Sequence, residues 1–323
     1  MSEIGIIGLG QMGAALACRA IDLGVGVAGR SRSGVPAELR EAGVTPAQDV
    51  EGIVAALQRP RLVLVSVPAG PVVDQILAEL RPHLEPGDVI MDAGNSYWGD
   101  GIRRAGRLAE DGIHFLDLGV SGGPEGARNA PCFMVGGPIE AVEAAEPLLR
   151  RLAGDEGGYV HAGGPGAGHF VKLVHNGIEF GMLQAIGEGI AMLKAHPERL
   201  DIVGTLEAWR HGSVIRSWLV DLMAEAYARD PELECPSGLV EDTGEVNWLV
   251  GDAMISETPV PVISQSVMEL MKTRDRRAVA ARAVTHMRHG FGGHPFGEDA
   301  SVAKERKRGR VGPLYRPGGE SDA

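Results

Sequence analysis

The pattern of apolar and polar positions changes character halfway along the chain. In the first half, short and mostly apolar runs at 4–7, 25–29, 62–67, 89–92, 114–118 and 132–135 alternate with amphipathic stretches, of which 14–23 has clear helical spacing. Runs of that length read as buried strands, and strands alternating with helices predict a doubly wound, mostly parallel sheet with helices on both faces. The turn cluster Gly163, Gly164, Pro165 and Gly166 ends this regime. Beyond it the pattern is helical almost throughout, with helices predicted over 166–196, 206–229, 246–256, 260–273 and 276–289. The chain is therefore expected to hold an α/β domain over 1–163 and an all-α domain over 164–303. A tail over 304–323 follows, basic at Lys304, Arg306, Lys307, Arg308 and Arg310 and then rich in Gly and Pro. It is expected to be a solvated terminus, the other reading being a segment that docks on a partner subunit.

Composition narrows the class. With 323 residues there is room for two domains, and 44% hydrophobic with 23% charged residues is ordinary for a soluble protein. A net charge of −12 argues against a nucleic-acid partner. Cys18, Cys132 and Cys235 form no CxxC pair and no metal-ligand spacing, so neither a disulfide framework nor a metal site is expected, and the compartment reads as reducing. No signal peptide precedes the first apolar run and no apolar stretch is long enough to span a bilayer, so the expected location is cytoplasmic with no membrane partner.

The glycines sharpen this. Gly8, Leu9, Gly10, Gln11, Met12 and Gly13 form a GxGxxG directly after a strand and at the start of a helix, the context that the Rossmann dinucleotide fingerprint requires. The helix N-terminus then offers free N–H groups to a pyrophosphate. An NAD site carries Asp or Glu at the end of the second strand; here the chain reads Arg30, Ser31, Arg32, Ser33. Guanidinium and hydroxyl groups suit a 2′-phosphate, so NADP is the expected cofactor, with Arg32 as main contact and Ser31 and Ser33 beside it. Val67, Pro68 and Asn95, at the ends of later strands, are the remaining expected cofactor contacts.

The densest chemistry lies on the first helix after the turn cluster. With Lys172 set at zero and roughly 100° per residue, His175 falls near about 300°, Asn176 near about 40° and Glu179 near about 340°. An amine, an imidazole, an amide and a carboxyl thus share one arc of an otherwise apolar segment. Glycine-rich loops are expected opposite them, at 119–123 (Gly119, Val120, Ser121, Gly122, Gly123) and at 92–96, where Asn95 could bond a substrate hydroxyl or the nicotinamide amide.

Together these residues resemble the 6-phosphogluconate dehydrogenase family. The motifs GLGQMG, DAGNS, GVSGGPEGAR, GHFVKLVHNGIEFG, GSVIRSW, VEDTGE and FGGH carry the resemblance through nearly the whole chain, whose length resembles the family's short form. The resemblance implies an NADP-dependent decarboxylating dehydrogenase. Lys172 would be the general base, Glu179 the acid that protonates C1, and His175 and Asn176 their partners. Asn95, Ser121, Gly122, Gly123, His175 and Asn176 would hold the sugar acid. Arg288 and His294 would bind the substrate phosphate from a second subunit, which implies a homodimer or homotetramer.

The expected phosphate pocket is incomplete. Phe180 stands where the family has Tyr, Asn247 where the short form has a basic residue, and Leu270 where it has Arg; Lys272 or Arg274 could compensate. Pro124 replaces an acidic residue after GVSGG. A β-hydroxy sugar acid with a different tail is therefore an alternative substrate to 6-phosphogluconate. A β-hydroxyacid dehydrogenase of the 3-hydroxyisobutyrate kind, without decarboxylation, and a nucleotide-sensing regulator are the competing readings.

Overall fold

The structure is a computed structural model that describes residues 3–155, 158–300 and 303; the tail over 304–323 lies outside the described residues. Eight strands form one sheet: β1 Glu3–Ile7, β2 Gly26–Arg30, β3 Thr45–Pro46, β4 Leu62–Val65, β5 Val89–Asp92, β6 His114–Ser121, β7 Cys132–Gly136 and β8 Tyr159–Gly163. Their spatial order is β3-β2-β1-β4-β5-β6-β7-β8, and every pairing is parallel except β6 with β7. β4 and β5 are buried at every position, because helices cover both faces of a parallel sheet. The core accordingly forms two clusters, one around Ile4, Leu16, Leu64, Met91, Leu118 and Leu149, the other around Ile7, Ile53, Val65, Leu80, Ile90 and Phe115.

The helices of this part are α1 Gln11–Asp22, α2 Ala37–Ala42, α3 Val50–Ala55, α4 Pro71–Leu80, α5 Trp98–Ala109, α6 Gly123–Asn129 and α7 Ile139–Ala153. Among the described residues, helices make up all the regular structure that follows: α8 Ala167–Lys194, α9 Ile202–Gly212, α10 Trp218–Arg229, α11 Glu245–Ile255, α12 Pro261–Arg274 and α13 Val279–Gly292. A doubly wound Rossmann sheet followed by helices is the architecture the hydrophobic pattern implies. The single helix expected over 206–229 is two helices instead. α9 stops at Gly212, and the Ser217 hydroxyl caps a new start by accepting from Val220 N at 3.3 Å. β3 and β8 escaped the pattern, one having only two residues and the other no fully buried position.

The change from strands to helices falls between Gly163 and Ala167. Packing divides the chain elsewhere. One compact unit is built from the chain up to Glu179 together with Asp242–Val260, and the other from Phe180–Glu241 and the chain from Pro261 onward. The first unit thus contains the sheet, the first turns of α8 and all of α11. The second has its own small core around Ile190, Ile202, Leu206, Ala224 and Tyr227.

Candidate active site

The glycine turn after β1 is shaped by what surrounds it. Gly8 has φ +97°, and a Cβ there would lie 2.1 Å from the carbonyl oxygen of Ser66. A Cβ on Gly13 would lie 1.9 Å from the carbonyl of Gly8, so α1 packs directly on the turn. Around Gly10 there is nothing within 4 Å, and no side chain caps the helix that starts at Gln11. Open space over uncapped N–H groups fits a pyrophosphate. Gly8 N donates to Arg30 O at 2.9 Å, which sets the end of β2 beside the turn. The strand-end segment from Arg30 to Ser33 carries no acidic residue of its own. Arg30 reaches Glu79 at 3.6 Å, while Arg32 and Ser33 are exposed and Ser31 half-exposed. The expected strand over 62–67 ends at Val65, leaving Val67 and Pro68 in the loop; Val67 O faces Gly94, where a Cβ would approach to 2.6 Å.

Asn95 lies in the loop after β5 with φ +54°, a left-handed conformation that Asn tolerates better than most residues. Buried Asp92 holds this loop: Oδ1 accepts from Gly94 N at 3.0 Å, and Oδ2 accepts from Ser96 Oγ at 2.8 Å and from the Arg104 guanidinium at 3.2 Å. Arg104, itself 1% exposed, also donates to Gly70 O and to both carboxylate oxygens of Asp74. The Arg104 guanidinium holds the Asp74 carboxyl down at about 2, with Arg103 adding to it.

α8 is seated on the sheet by close backbone contact. A Cβ on Gly168 would lie 2.3 Å from Asp117 O and 2.5 Å from Met134 O, and one on Gly119 would lie 2.5 Å from Lys172 Cβ. Buried Asp117 accepts from Gly166 N at 2.6 Å and His169 N at 2.8 Å, satisfying two of the free N–H groups at the helix start. His169 Nε2 donates to Asp92 O at 2.9 Å and so ties the helix to the Asn95 loop.

These contacts bring Ser121 and the four expected helix residues together. Ser121 Oγ lies 3.0 Å from His175 Nε2. His175 Nδ1 lies 3.2 Å from Asn176 Oδ1, 3.4 Å from Lys172 Nζ and 3.8 Å from Glu179 Oε2. Burial pushes the Lys172 ammonium below its ordinary pKa; Glu179, Glu245 and the Cys132 thiol partly oppose this. The segment 119–123 is not a loop throughout, because Gly119, Val120 and Ser121 extend β6 by pairing with Met134, Phe133 and Cys132. Gly122, at φ +110°, makes the turn together with Gly123, at φ +60°, which opens α6.

The sequence reading gave no role to Glu245. Its Oε1 accepts from Asn176 Nδ2 at 3.3 Å, and its Oε2 accepts from Thr243 Oγ1. In sequence it looks like a common first-turn acid of α11, and nothing local couples it to a residue 69 positions away. α11 is held in place by Asp252, which accepts from Tyr97 OH at 3.1 Å and Trp98 Nε1 at 2.7 Å. Trp248 meets the Tyr97 ring edge-on.

Arg288 and His294 belong to the second compact unit, Arg288 exposed on α13 and His294 just beyond it. Phe180 and Leu270 are half-exposed in that unit, and Asn247 is exposed on α11. Lys272 pairs with Glu269 at 3.2 Å and Arg274 with Glu241 at 3.6 Å. No cluster of metal-ligating side chains occurs among the described residues, and none of their helices is long and apolar enough to cross a membrane.

Comparison with known proteins gives the same family from both parts of the chain. Residues 3–163 match the NAD-binding domain of 6-phosphogluconate dehydrogenase, and residues 168–289 match its C-terminal domain. Bacillus subtilis YqeC, provisionally named a 6-phosphogluconate dehydrogenase, is 42% identical over 90% of this chain and 98% of its own. The NAD-dependent decarboxylating 6-phosphogluconate dehydrogenase of Haloferax volcanii is 37% identical over 90% of this chain and 97% of its own. The NADP-dependent enzyme of Bacillus subtilis is also 37% identical, but this chain spans only 60% of its length. Among solved structures, Plasmodium falciparum 6-phosphogluconate dehydrogenase superposes with a TM-score of 0.77 at 26% identity, covering 92% of this chain and 66% of that one. Mycobacterium tuberculosis 3-hydroxyisobutyrate dehydrogenase, at 21% identity, shares the fold with a TM-score of 0.68 over 85% of this chain and 94% of that one. The chain is an oxidoreductase with an NAD(P)-binding domain and belongs to the 6-phosphogluconate dehydrogenase family.

Proposed function

We propose that this protein is an NADP-dependent decarboxylating dehydrogenase acting on 6-phosphogluconate or a closely related β-hydroxy sugar acid. The observation that carries this reading is the half-buried Lys172, its pKa lowered by desolvation, in a group that also contains His175, Asn176 and Glu179. A base must be free of its proton near neutral pH, and burial of an ammonium favours that state. Oxidation alone needs only the base; oxidation with loss of carbon dioxide also needs a group that delivers a proton to carbon.

In this reading Lys172 Nζ takes the proton from the C3 hydroxyl. The turn from Gly8 to Gly13 and Arg30, Ser31, Arg32 and Ser33 at the end of β2 would hold NADP, which when bound would accept the hydride that leaves C3 as the ketone forms. The protonated Lys172 then donates to the C3 ketone oxygen as the carboxylate leaves as carbon dioxide, stabilising the developing enolate charge. Glu179 Oε2 donates a proton to C1 and yields the ketose. Ser121, the N–H groups of Gly122 and Gly123, Asn95, His175 and Asn176 orient the sugar acid. Arg288 and His294 serve the substrate's phosphate or its equivalent in a homodimer or homotetramer.

Turnover of 6-phosphogluconate, unphosphorylated sugar acids and 3-hydroxyisobutyrate with NADP, recording carbon dioxide alongside NADPH, tests this. Equimolar release is expected with a sugar acid; NADPH without carbon dioxide would return the chain to the simple β-hydroxyacid dehydrogenases. Efficient use of micromolar 6-phosphogluconate would show that Phe180, Asn247 and Leu270 have not changed the substrate. For the cofactor, Arg32→Ala should raise KM for NADP about tenfold or more, the scale of one lost charge-assisted bond, and leave KM for NAD nearly unchanged. Equal losses with both cofactors would argue against a 2′-phosphate contact.

A further inference from the structure

Glu245 stands where the orientation of the whole hydrogen-bonded group can be decided. A carboxylate only accepts, so the amide of Asn176 must turn its NH2 toward Glu245 Oε1, 3.3 Å away. The amide oxygen is then the atom that faces His175 Nδ1 at 3.2 Å. A second oxygen, Oε2 of Glu179, lies 3.8 Å from the same nitrogen. Both oxygens accept, so in the neutral imidazole the hydrogen belongs on Nδ1. Nε2 is left with a lone pair and takes the hydrogen of the Ser121 hydroxyl at 3.0 Å.

The consequence reaches Lys172. Its Nζ lies 3.4 Å from Nδ1. An Nδ1 that carries hydrogen offers no lone pair to an ammonium, whereas it can donate to the lone pair of a neutral amine. With the opposite tautomer, Nδ1 would accept from the ammonium and hold the proton on Lys172. The charge of Glu245 by itself also favours the ammonium, and Glu245→Gln removes that charge while keeping an acceptor for Asn176. Glu245 itself is anchored, accepting from Thr243 Oγ1 and carried on a helix clamped through Asp252 to Tyr97 and Trp98.

We propose that Glu245 is a positioning residue which, by fixing the Asn176 amide, keeps the hydrogen of neutral His175 on Nδ1 and so leaves Lys172 free to act as the base. The link to the base rests on the function proposed above; the tautomer does not. The two are separated by reading the imidazole directly.

The test is nitrogen-15 NMR of the full chain with labelled histidine, without substrate and at a pH where the ring is neutral, on the wild type, Glu245→Ala and Glu245→Gln. The wild type should show a protonated Nδ1 at His175, assigned by its loss in His175→Gln. Glu245→Ala frees the amide to flip and should give a mixture of tautomers, with kcat down about tenfold and KM for NADP unchanged. Glu245→Gln can still accept from Asn176 through its carbonyl and should restore both the tautomer and most of kcat. A protonated Nε2 in the wild type, or an unchanged tautomer in a folded Glu245→Ala, overturns the proposal. If Glu245→Ala does not fold, a loss of the Nδ1 hydrogen in Glu245→Gln overturns it and retention supports it. If no sugar acid is turned over, the function reading fails while the spectra still decide the role of Glu245.

Discussion

Lys172 is under opposing demands. Burial lowers its pKa from the ordinary 10.5, while Glu179 and Glu245 pull it back up, with the Cys132 thiol adding to them. Because the folded-state pKa lies below the unfolded one, the unfolded chain binds the proton more readily between the two values, and stability rises with pH through that window. The penalty is full below the lowered pKa and vanishes toward the ordinary lysine range. Lys172→Met should therefore raise Tm at neutral pH, by roughly 2–4 °C for each kcal/mol relieved, and the gain should disappear in strongly alkaline buffer. The same change should cut kcat by about 10²–10⁴-fold, the usual contribution of a general base. In the wild type, activity should rise with pH through the lowered pKa. A Tm indifferent to the substitution at every pH would mean that the amine is solvated rather than buried.

Two elements depend on contacts that the chain brings from far apart. α8 can approach β6 and β7 because Gly168, Gly119 and Gly136 carry no Cβ, and the atoms in the way at Gly168 are all backbone. Gly168→Ala should cost about 1–3 kcal/mol, as overpacking does, and, if Lys172 is the base proposed above, lower kcat more than it raises KM for the cofactor, since Lys172 moves with the helix. Urea unfolding and steady-state rates check this; a variant with wild-type stability would show that the helix has room. The loop that carries Asn95 depends in turn on Arg104 and Asp74. The Asp74 carboxyl is held at about 2 in the fold against an ordinary 3.8, so its contribution is present above 3.8 and is lost as pH falls toward 2. The Tm difference between wild type and Asp74→Asn should accordingly be largest near neutrality and close on acidification. A difference that persists unchanged in acid would assign the effect to shape rather than charge.

At the scale of the whole molecule, apolar surface stays exposed among the described residues. No residue of α13 is buried, and Val279, Val284, Met287 and Phe291 are between 49% and 76% exposed. A helix draws its stability in proteins mainly from burial of an apolar face, and the described residues bury none of α13. Association of this 34.0 kDa chain with a second copy is the expected remedy. Light scattering should give at least twice the chain mass, and Met287→Glu with Phe291→Glu should reduce it and lower kcat if Arg288 serves a neighbouring site. A wild-type monomer with full activity would remove the need for a partner copy.

What could be read from the sequence was whatever repeats at short range. Period and run length marked the strands, because a strand buried on both faces must be apolar throughout, and glycine spacing marked the dinucleotide turn, because only glycine fits between Ser66 O and the start of α1. About two turns of helix sufficed to align Lys172, His175, Asn176 and Glu179. Tertiary structure alone decided that Ser121 belongs to a strand facing His175, that Asp117 and Asp92 hold the site's backbone, and that Glu245 reaches Asn176. The contacts of Ser121 with His175, Asp117 with Gly166 and His169, Asp92 with His169, and Glu245 with Asn176 join segments 49 to 77 residues apart, and a side chain's local pattern carries no record of a partner that only folding brings within reach.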